Sequence, residues 1–495
     1  MSKIIIQNGN MCELDLPLKF AQKLYNEFAI RHPNAFYLRT RQRGMQNWDG
    51  KIHYITKTGQ FKIGLLPKVY DMCIEMGIKP KVVDMRQPLP KVSKVVTKIG
   101  KYKLRPEQEK AVKAVINNTI GGKPFHIGVL DYTVNAGKTL IMSSLYLTYK
   151  KQLKTLLITN DSDWLNQARE EFKQYLPGED ITFVQGKVLN WSNFTIGMVQ
   201  SISRNMRFYQ KELSQIDMVL VDEADQGGSK QYQNVITRLF NTRIRIGLSG
   251  TIYMSKLAKD KVKNMNLEGF FGKVIAEFKL KDSIKKGYST KTIVKMVPGK
   301  PWYGNWESDC ISYKEIYDDS ITENNTAWTM AYNRLRWNIN QGRYPALVVC
   351  KHIAHCENLY KFFKKKLGDA YNIAYVHVNT PSKLRQQIMR DFREGKIDIL
   401  VSTTIIARGK NFPKLRYLLN AASMDSQEKS IQFLGRLVRT DKSKKKVYLD
   451  DLHYPGPYLD RHGKHRKQYY QRQELKVILL DKLWKKHPNH SLIKS

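Results

Sequence analysis

The chain has 495 residues, 42% hydrophobic and 26% charged, with 84 Lys and Arg against 44 Asp and Glu and a formal net charge of +40. This composition excludes a disordered chain, and the length exceeds one ordinary core, with about three domains expected. So large an excess of positive charge calls for a polyanionic partner, and nucleic acid leads over an anionic membrane surface, which would show a concentrated basic amphipathic helix. Residues 1–98 carry 17 basic against 7 acidic residues and residues 441–495 carry 14 against 6, so the charge is spread as a backbone-tracking surface requires. The five cysteines, Cys12, Cys73, Cys310, Cys350 and Cys356, have no framework spacing. The start MSKIIIQNG lacks a secretory pattern, and no run reaches the ~18 apolar residues of a membrane span. A reduced, cytoplasmic compartment is the expectation.

Residues 1–98 mix strand-like runs, Lys3–Gln7 and Lys51–Thr56, with a helical run, Leu18–Ile30. The stretch "FYLRTRQRGMQNWDGKIHYI" interleaves Tyr37, Trp48 and Tyr54 with Arg39, Arg41, Arg43, Lys51 and His53. Cations hold phosphates and flat rings stack on bases, which makes Arg39, Arg41, Arg43, Trp48 and Lys51 candidate DNA contacts. A solvated basic hairpin turning at Asn47–Gly50 fits the same residues, and both readings stay open. "RQPLPKVSKVV", with Pro88 and Pro90, reads as a linker closing a basic α+β accessory domain over residues 1–98.

From Lys101 strands and helices alternate. The first series is helix Glu107–Asn117, strand Phe125–Leu130, helix Thr139–Lys150, strand Thr155–Thr159, helix Trp164–Tyr175, and strands Phe194–Val199, Met218–Val221 and Ile244–Leu248. The second has strands Ala346–Val349, Asn372–His377, Ile397–Val401 and Tyr417–Asn420, with helices Ala354–Lys366 and Ser382–Arg393. Alternation of this kind predicts an α/β fold of parallel sheets covered by helices, one domain over residues 99–290 and another over 291–495. "CKHIAHC" crowds Cys350, His352, His355 and Cys356 at a strand-to-helix turn. Ligands that close do not easily converge on one tetrahedral ion, so the end of a core strand is the better account.

The chemistry begins in "GVLDYTVNAGKTLIM". Gly137, Lys138 and Thr139 enter a helix after a strand, as a phosphate loop does, but Tyr132 stands where the pattern has its first glycine. Asn135 is the residue best able to take the left-handed turn in its place. In "MVLVDEADQ" a buried strand ends in Asp222 and Glu223, where doubly wound sheets bind ligands. Asp222 would hold magnesium and Glu223 would polarise water. "IGLSGT" ends another apolar strand in Ser249-Gly250-Thr251, and "QFLGRLVR" sets Arg436 and Arg439 three apart on one face of a short helix. Arginines so presented can neutralise charge on a transferring phosphoryl group.

In this order the motifs resemble the superfamily 2 helicases and translocases, over about residues 100–470. "LRPEQEKAV" is similar to their adenine-side motif, which implies that Arg105 and Gln108 meet the base. "LLITNDSDWLNQ" and "GMVQSI" stand where the first nucleic-acid motifs lie, the second supplying Gln200. "LVVCKHIAHCENL" resembles motif IV. "VSTTIIARGKNF" resembles motif V, giving Ser402 and Thr403 to the phosphate backbone and Gly409 to the nucleotide. Motif VI opens at Gln432, and motif III reads Ser249-Gly250-Thr251, so the letters DEAD do not make this a DEAD-box RNA helicase.

Within the superfamily the likeness is to phage recombination helicases of the UvsW type, which share the segment Asn47-Trp48-Asp49-Gly50. Their phosphate loop ends S-A-G-K, so Asn135-Ala136-Gly137-Lys138 is within pattern. The resemblance implies two RecA-like domains, ATP held by Asn135, Ala136, Gly137, Lys138 and Thr139, and Mg2+ held by Thr139 and Asp222. It also implies catalysis by Glu223, Lys138, Asp222, Arg436, Arg439 and Gln432. The implied activity is ATP-driven unwinding or remodelling of branched DNA in recombination, repair or replication. A monomer in the host-cell cytoplasm, with single-strand-binding or recombination proteins as further partners, completes the expectation. Val134 and Asn411 depart from the usual residues. RNA or an RNA–DNA hybrid is the alternative track, and an architectural binder would explain the charge but not the ordered motifs. "HGKHRKQYYQRQ" reads as a solvated basic helix, with Leu475, Ile478 and Leu479 continuing an apolar helical pattern.

Overall fold

Short apolar runs bounded by Gly, Asn and Pro form two parallel sheets in this computed structural model, which describes residues 2–41, 44–92, 94–149, 152–188, 191–252, 258–299, 312–407 and 412–480. The chain divides into two compact units, Met1–Phe278 and Lys279–Ser495.

In the first unit the sheet strands are β1 (Ile127–Tyr132), β2 (Thr155–Thr159), β3 (Ile181–Val184), β4 (Phe194–Met198), β5 (Met218–Asp222), β6 (Ile244–Ser249) and β7 (Val274–Phe278). Their order is β3-β4-β2-β5-β6-β1-β7, and all neighbours run parallel. The second unit holds β8 (Lys291–Pro298), β9 (Ala346–Cys350), β10 (Ile373–Val376), β11 (Ile399–Thr403), β12 (Tyr417–Asn420), β13 (Lys446–His453) and β14 (Val477–Leu479). Its order, β10-β11-β9-β12-β13-β8-β14, repeats the first sheet strand for strand. These are two RecA-like domains. Central strands such as β1, β5, β6 and β9 are buried along their whole length, because helices cover both faces. Parallel pairing brings all strand C-termini of a sheet to one edge, where loops can carry chemistry.

Several expectations shift. The run expected as helix Leu18–Ile30 stops at Glu27, because Ala29–Arg31 pairs antiparallel with Lys51–His53. Leu475, Ile478 and Leu479 do not continue a helix. The segment Val477–Leu479 extends and pairs parallel with Val294–Met296, so backbone pairing overrides the helical spacing. Nor is the preceding basic segment merely solvated. Helix Leu459–Arg472 buries Arg466 and Tyr470, which both engage the buried Asp451. Cys350, His355 and Cys356 lie in the second unit's core, and burial pushes His355 down to about 3.

The N-terminal segment forms a four-stranded sheet, ordered Gln60–Lys62, Met11–Asp15, Lys3–Ile6, Lys81–Asp84. Its apolar face, including Ile4, Cys12, Phe61 and Val82, shares one cluster with Ile120, Phe125 and Ile127 of the neighbouring RecA-like fold. The proline-containing stretch that follows is tied down as well: the Arg243 guanidinium donates to the carbonyls of Gln87 and Pro88, and the Ser144 hydroxyl to that of Val96.

The firmest link is Arg245 on β6. It is fully buried and donates to the Gly9 carbonyl (2.6 Å), the Asn10 Oδ1 (2.7 Å) and the Phe270 carbonyl (3.2 Å). Burial pulls its basicity down to about 9, with Arg86 adding to the effect. Exchange of Arg245 for Met strands these acceptors, and Arg245→Met is expected to cost roughly 2–5 kcal/mol in urea unfolding. Hydrogen exchange should rise first around Gly9–Cys12; native-like stability and protection would contradict the anchoring role.

Candidate active site

β1 delivers the chain to the phosphate-type loop, and Tyr132 explains its own departure from the glycine pattern. Its ring is buried, tilted against Phe278 at 6.0 Å, and its hydroxyl donates to the Glu107 carbonyl at 2.8 Å. The reversal comes later, at Asn135 (φ 65°) and Gly137 (φ 72°), both left-handed. Gly137 has a second reason to lack a side chain: a Cβ there would stand 2.3 Å from Gln108 Nε2. Helix Lys138–Thr148 starts directly after it.

Gln108 is buried, and both ends of its amide are in use. Nε2 donates to the Ala136 carbonyl at 2.8 Å, and Oε1 accepts from the Arg105 backbone N–H at 2.8 Å. In this conformation Gln108 therefore holds the loop rather than presenting its amide outward. Arg105 is half-buried and its Nη1 lies 3.4 Å from the Asn135 carbonyl.

Across the strand edge, Asp222 ends β5 and is buried, with the Lys138 ammonium 3.9 Å from its Oδ1. Burial pushes Asp222 up, and Lys138 opposes that shift. Glu223 follows at φ 52°, a strained backbone for a residue with a side chain. Burial first, then the charges of Asp222, Asp225 and Asp161, push it up to about 8. Asp225 accepts from the Ser249 hydroxyl at 2.6 Å, and Ser249 Oγ also takes the Thr251 N–H at 3.0 Å. Gly250 closes the circuit, since a Cβ on it would lie 3.1 Å from the Thr133 Cα. Loop, acids and Ser249-Gly250-Thr251 thus form one connected edge. Sequence reasoning missed Asp161; its signal was an acid two residues past the end of β2, where it accepts from the Trp164 N–H at 3.1 Å and starts a helix.

The edge fits a nucleoside triphosphate with magnesium. Asp222 Oδ1 and both amide atoms of Asn135 are buried without a hydrogen-bond partner, and the side-chain-free turn at Gly137 leaves backbone N–H groups at a helix start. Four acids, Asp161, Asp222, Glu223 and Asp225, gather near Lys138, which opposes the upward shifts of Asp222 and Glu223.

The other candidates divide between the units. Gln200 is half-buried and donates to the Asn160 carbonyl at 3.3 Å. In the N-terminal segment Arg39, Arg41 and Lys51 are exposed, and Arg39 and Lys51 line a cleft of about 580 Å³ with Arg31 and Phe36. Phe36, 81% exposed, was missed by sequence reasoning. Trp48 spends its indole N–H on the Lys51 carbonyl at 2.9 Å. Tyr54, grouped with these by sequence, is buried and bonded to the Val262 carbonyl, so it is no part of the surface. Arg43 and Gly409 lie outside the described residues, as do Cys310 and Asn411.

In the second unit Gln432 and Arg436 lie on helix Gln427–Leu437 and are half-buried. Arg439 falls two residues beyond the helix end, where Val438 caps it, and not on the helix as its spacing suggested; its carbonyl accepts from the Thr290 hydroxyl at 3.1 Å. Ser402 and Thr403 are buried at the end of β11, and the Ser402 hydroxyl donates to the Thr403 carbonyl at 2.9 Å. Lys429 links this helix to the segment after β11 through Thr404 Oγ1 at 3.1 Å.

The chain thus carries two RecA-like sheets of the same strand order, and the first ends in this loop-and-acid edge. Residues 101–254 match the family "Type III restriction enzyme, res subunit", and residues 331–441 match "Helicase conserved C-terminal domain". The chain belongs to superfamily 2 of the helicases. It is 23% identical over 385 residues to "Putative helicase 22" of Sulfolobus islandicus filamentous virus, a match covering 71% of this chain and 64% of that one. It is 21% identical over 436 residues to "ATP-dependent DNA helicase uvsW" of Enterobacteria phage T4, covering 82% of each. The solved structure of Mss116p bound to ssRNA and AMP-PNP aligns with TM-score 0.54 and 14% identity, over 83% of each chain. The chain spans about half to two thirds of the length of the curated relatives that match it first.

Glu223→Gln tests the electrostatics of this edge. Its folded value lies above the ordinary 4.5, so the stability tied to the protonated form is full below about pH 4.5 and is lost as pH rises through about 8. The native protein should therefore melt below Glu223→Gln at about pH 9, with the two converging near pH 5. Equal midpoints at the higher pH would show that Glu223 is not held among opposing acids.

Proposed function

We propose that the chain is an ATP-driven DNA translocase or helicase that acts on branched DNA such as forks and four-way junctions. The observation that carries the motor reading is the connected edge of the first unit. A left-handed phosphate-type loop, a buried Asp222 facing Lys138 and a strained, proton-holding Glu223 are joined there through Ser249-Gly250-Thr251.

Asn135 to Thr139 would hold the phosphates of ATP, with Arg105 on the side of the base and Gln108 fixing the loop. Thr139 and Asp222 would hold magnesium, which supplies charge neutralisation on the phosphates. Lys138 has an ammonium that can serve either Asp222 or an incoming phosphate, so its exchange between them couples occupancy to the acids. Glu223 has its proton affinity near the working pH, the condition under which a carboxylate best takes a proton from an attacking water. Gln432, Arg436 and Arg439 are the second unit's candidates for neutralising the transferred group.

DNA is favoured by the phage T4 relative, a DNA helicase by name that matches 82% of both chains, and a branched form of it by the basic cleft of the N-terminal segment, a further place for a strand. That cleft presents cations beside an exposed ring, a pairing suited to backbone and base together. RNA is the competing track, because the motor parts are the same.

ATP hydrolysis measured with single strand, duplex, fork, four-way junction and RNA of matched length, at fixed salt, separates these. Branched DNA should stimulate most, and Lys138→Ala should reduce stimulated turnover by about 100-fold or more. Wild-type turnover in Lys138→Ala would remove the site, and equal stimulation by RNA would remove the DNA assignment.

A further inference from the structure

The second unit carries a cation-rich aromatic cluster that no helicase motif accounts for. Trp337, near the end of helix Asn325–Ile339, is 42% exposed. Three cations stand over its ring: Arg343 at 4.7 Å, Lys295 at 4.8 Å and Arg334 at 5.0 Å. Arg343 also covers Tyr448 at 3.6 Å.

The register of β8 and β13 extends the cluster into a stripe. Lys291 pairs with Lys446, Ile293 with Tyr448 and Lys295 with Asp450, and residues two apart share a face. The exposed Lys291 and Lys446 thus sit side by side and concentrate positive charge at this end of the sheet. Within the stripe negative compensation is thin. Asp450 already accepts from Arg334, Asn338 and Tyr417, leaving one committed carboxylate against five cations. Burial lowers Lys295, with Arg334 and Arg343 adding to the effect and Asp450 opposing it.

The position matters as much as the charge. Arg343 lies just before β9 begins, and Lys291 and Lys446 are the first residues of their strands. The stripe therefore occupies the strand-start end of the second sheet, whereas Ser402 and Thr403 finish β11 at the opposite end.

We propose that this stripe, centred on Trp337, is a second nucleic-acid contact surface that holds a separate arm of a branched substrate. It rests on the reading of a nucleic-acid motor given above. Lys291, Lys446, Lys295 and Arg343 neutralise phosphates, and the exposed part of the Trp337 ring offers a stacking face for an unpaired base at a branch. A single strand occupying only the motif-bearing end does not need it.

The test is binding of a labelled four-way junction and a matched single strand without ATP, followed by anisotropy across a salt series, for wild type, Trp337→Ala, Trp337→Phe and Lys295→Gln. Junction affinity should fall roughly 5- to 100-fold in Trp337→Ala and recover in Trp337→Phe, since base stacking on one ring has that range. Lys295→Gln should lower the salt slope for the junction by about 1. Single-strand affinity should stay as in wild type. Junction binding unchanged in both Trp337→Ala and Lys295→Gln, with or without a lower melting temperature, would make the cluster a structural brace and overturn the proposal. A wild type that binds no nucleic acid would instead overturn the motor reading itself, and equal loss for junction and single strand would overturn the separate-arm assignment.

Discussion

Crowding of negative charge at the end of β5 is the constraint on which the rest of the first unit depends. Asp222, Glu223 and Asp225 succeed one another within four residues, and Asp161 faces them from the end of β2. Such a set is unfavourable in a folded protein unless protons, a cation or a bound ion relieve it. Lys138 opposes the upward shift of Asp222, and the same crowding, after burial, raises the proton affinity of Glu223. The same imbalance is what a magnesium-bound triphosphate can discharge. Stability and ligand affinity are thereby set against each other at one edge.

Holding that edge in shape falls to groups outside it. Gln108 clamps the loop from the preceding helix, and Gly250 approaches Thr133 so closely that a side chain there would crowd the loop backbone. β6 serves two purposes along its length. Its end gives Ser249 to Asp225, while Arg245 near its beginning binds Gly9 and Asn10 of the N-terminal segment. A shared apolar cluster continues that junction, so the basic cleft around Arg39 and Lys51 rides on the same body as the nucleotide edge.

The second unit repeats the strand order of the first but invests its buried charge differently. Here buried carboxylates face buried guanidinium groups, Asp450 with Arg334 and Asp451 with Arg466. Its surplus is positive instead and collects around Trp337. The formal charge of +40 is therefore not a uniform coating; part of it is organised around particular rings.

Local chemistry made much of this legible beforehand. Strands β1, β5, β6 and β9 are short apolar runs, two of them ending in the polar residues Asp222 and Ser249, and the left-handed turn at Asn135 and Gly137 follows from which residues tolerate it. Their order along the chain was enough to indicate two parallel sheets, since alternation of periods is a property of neighbours in sequence. What sequence alone could not decide was every partnership between distant residues. Tyr132 bonds Glu107, Arg245 bonds Gly9, and Lys295 meets Trp337 because folding brings together side chains whose separation carries no local signal. The same reason turned Val477–Leu479 from helix to strand: its spacing suited a helix, but the open edge of β8 offered backbone partners that only the tertiary structure supplies.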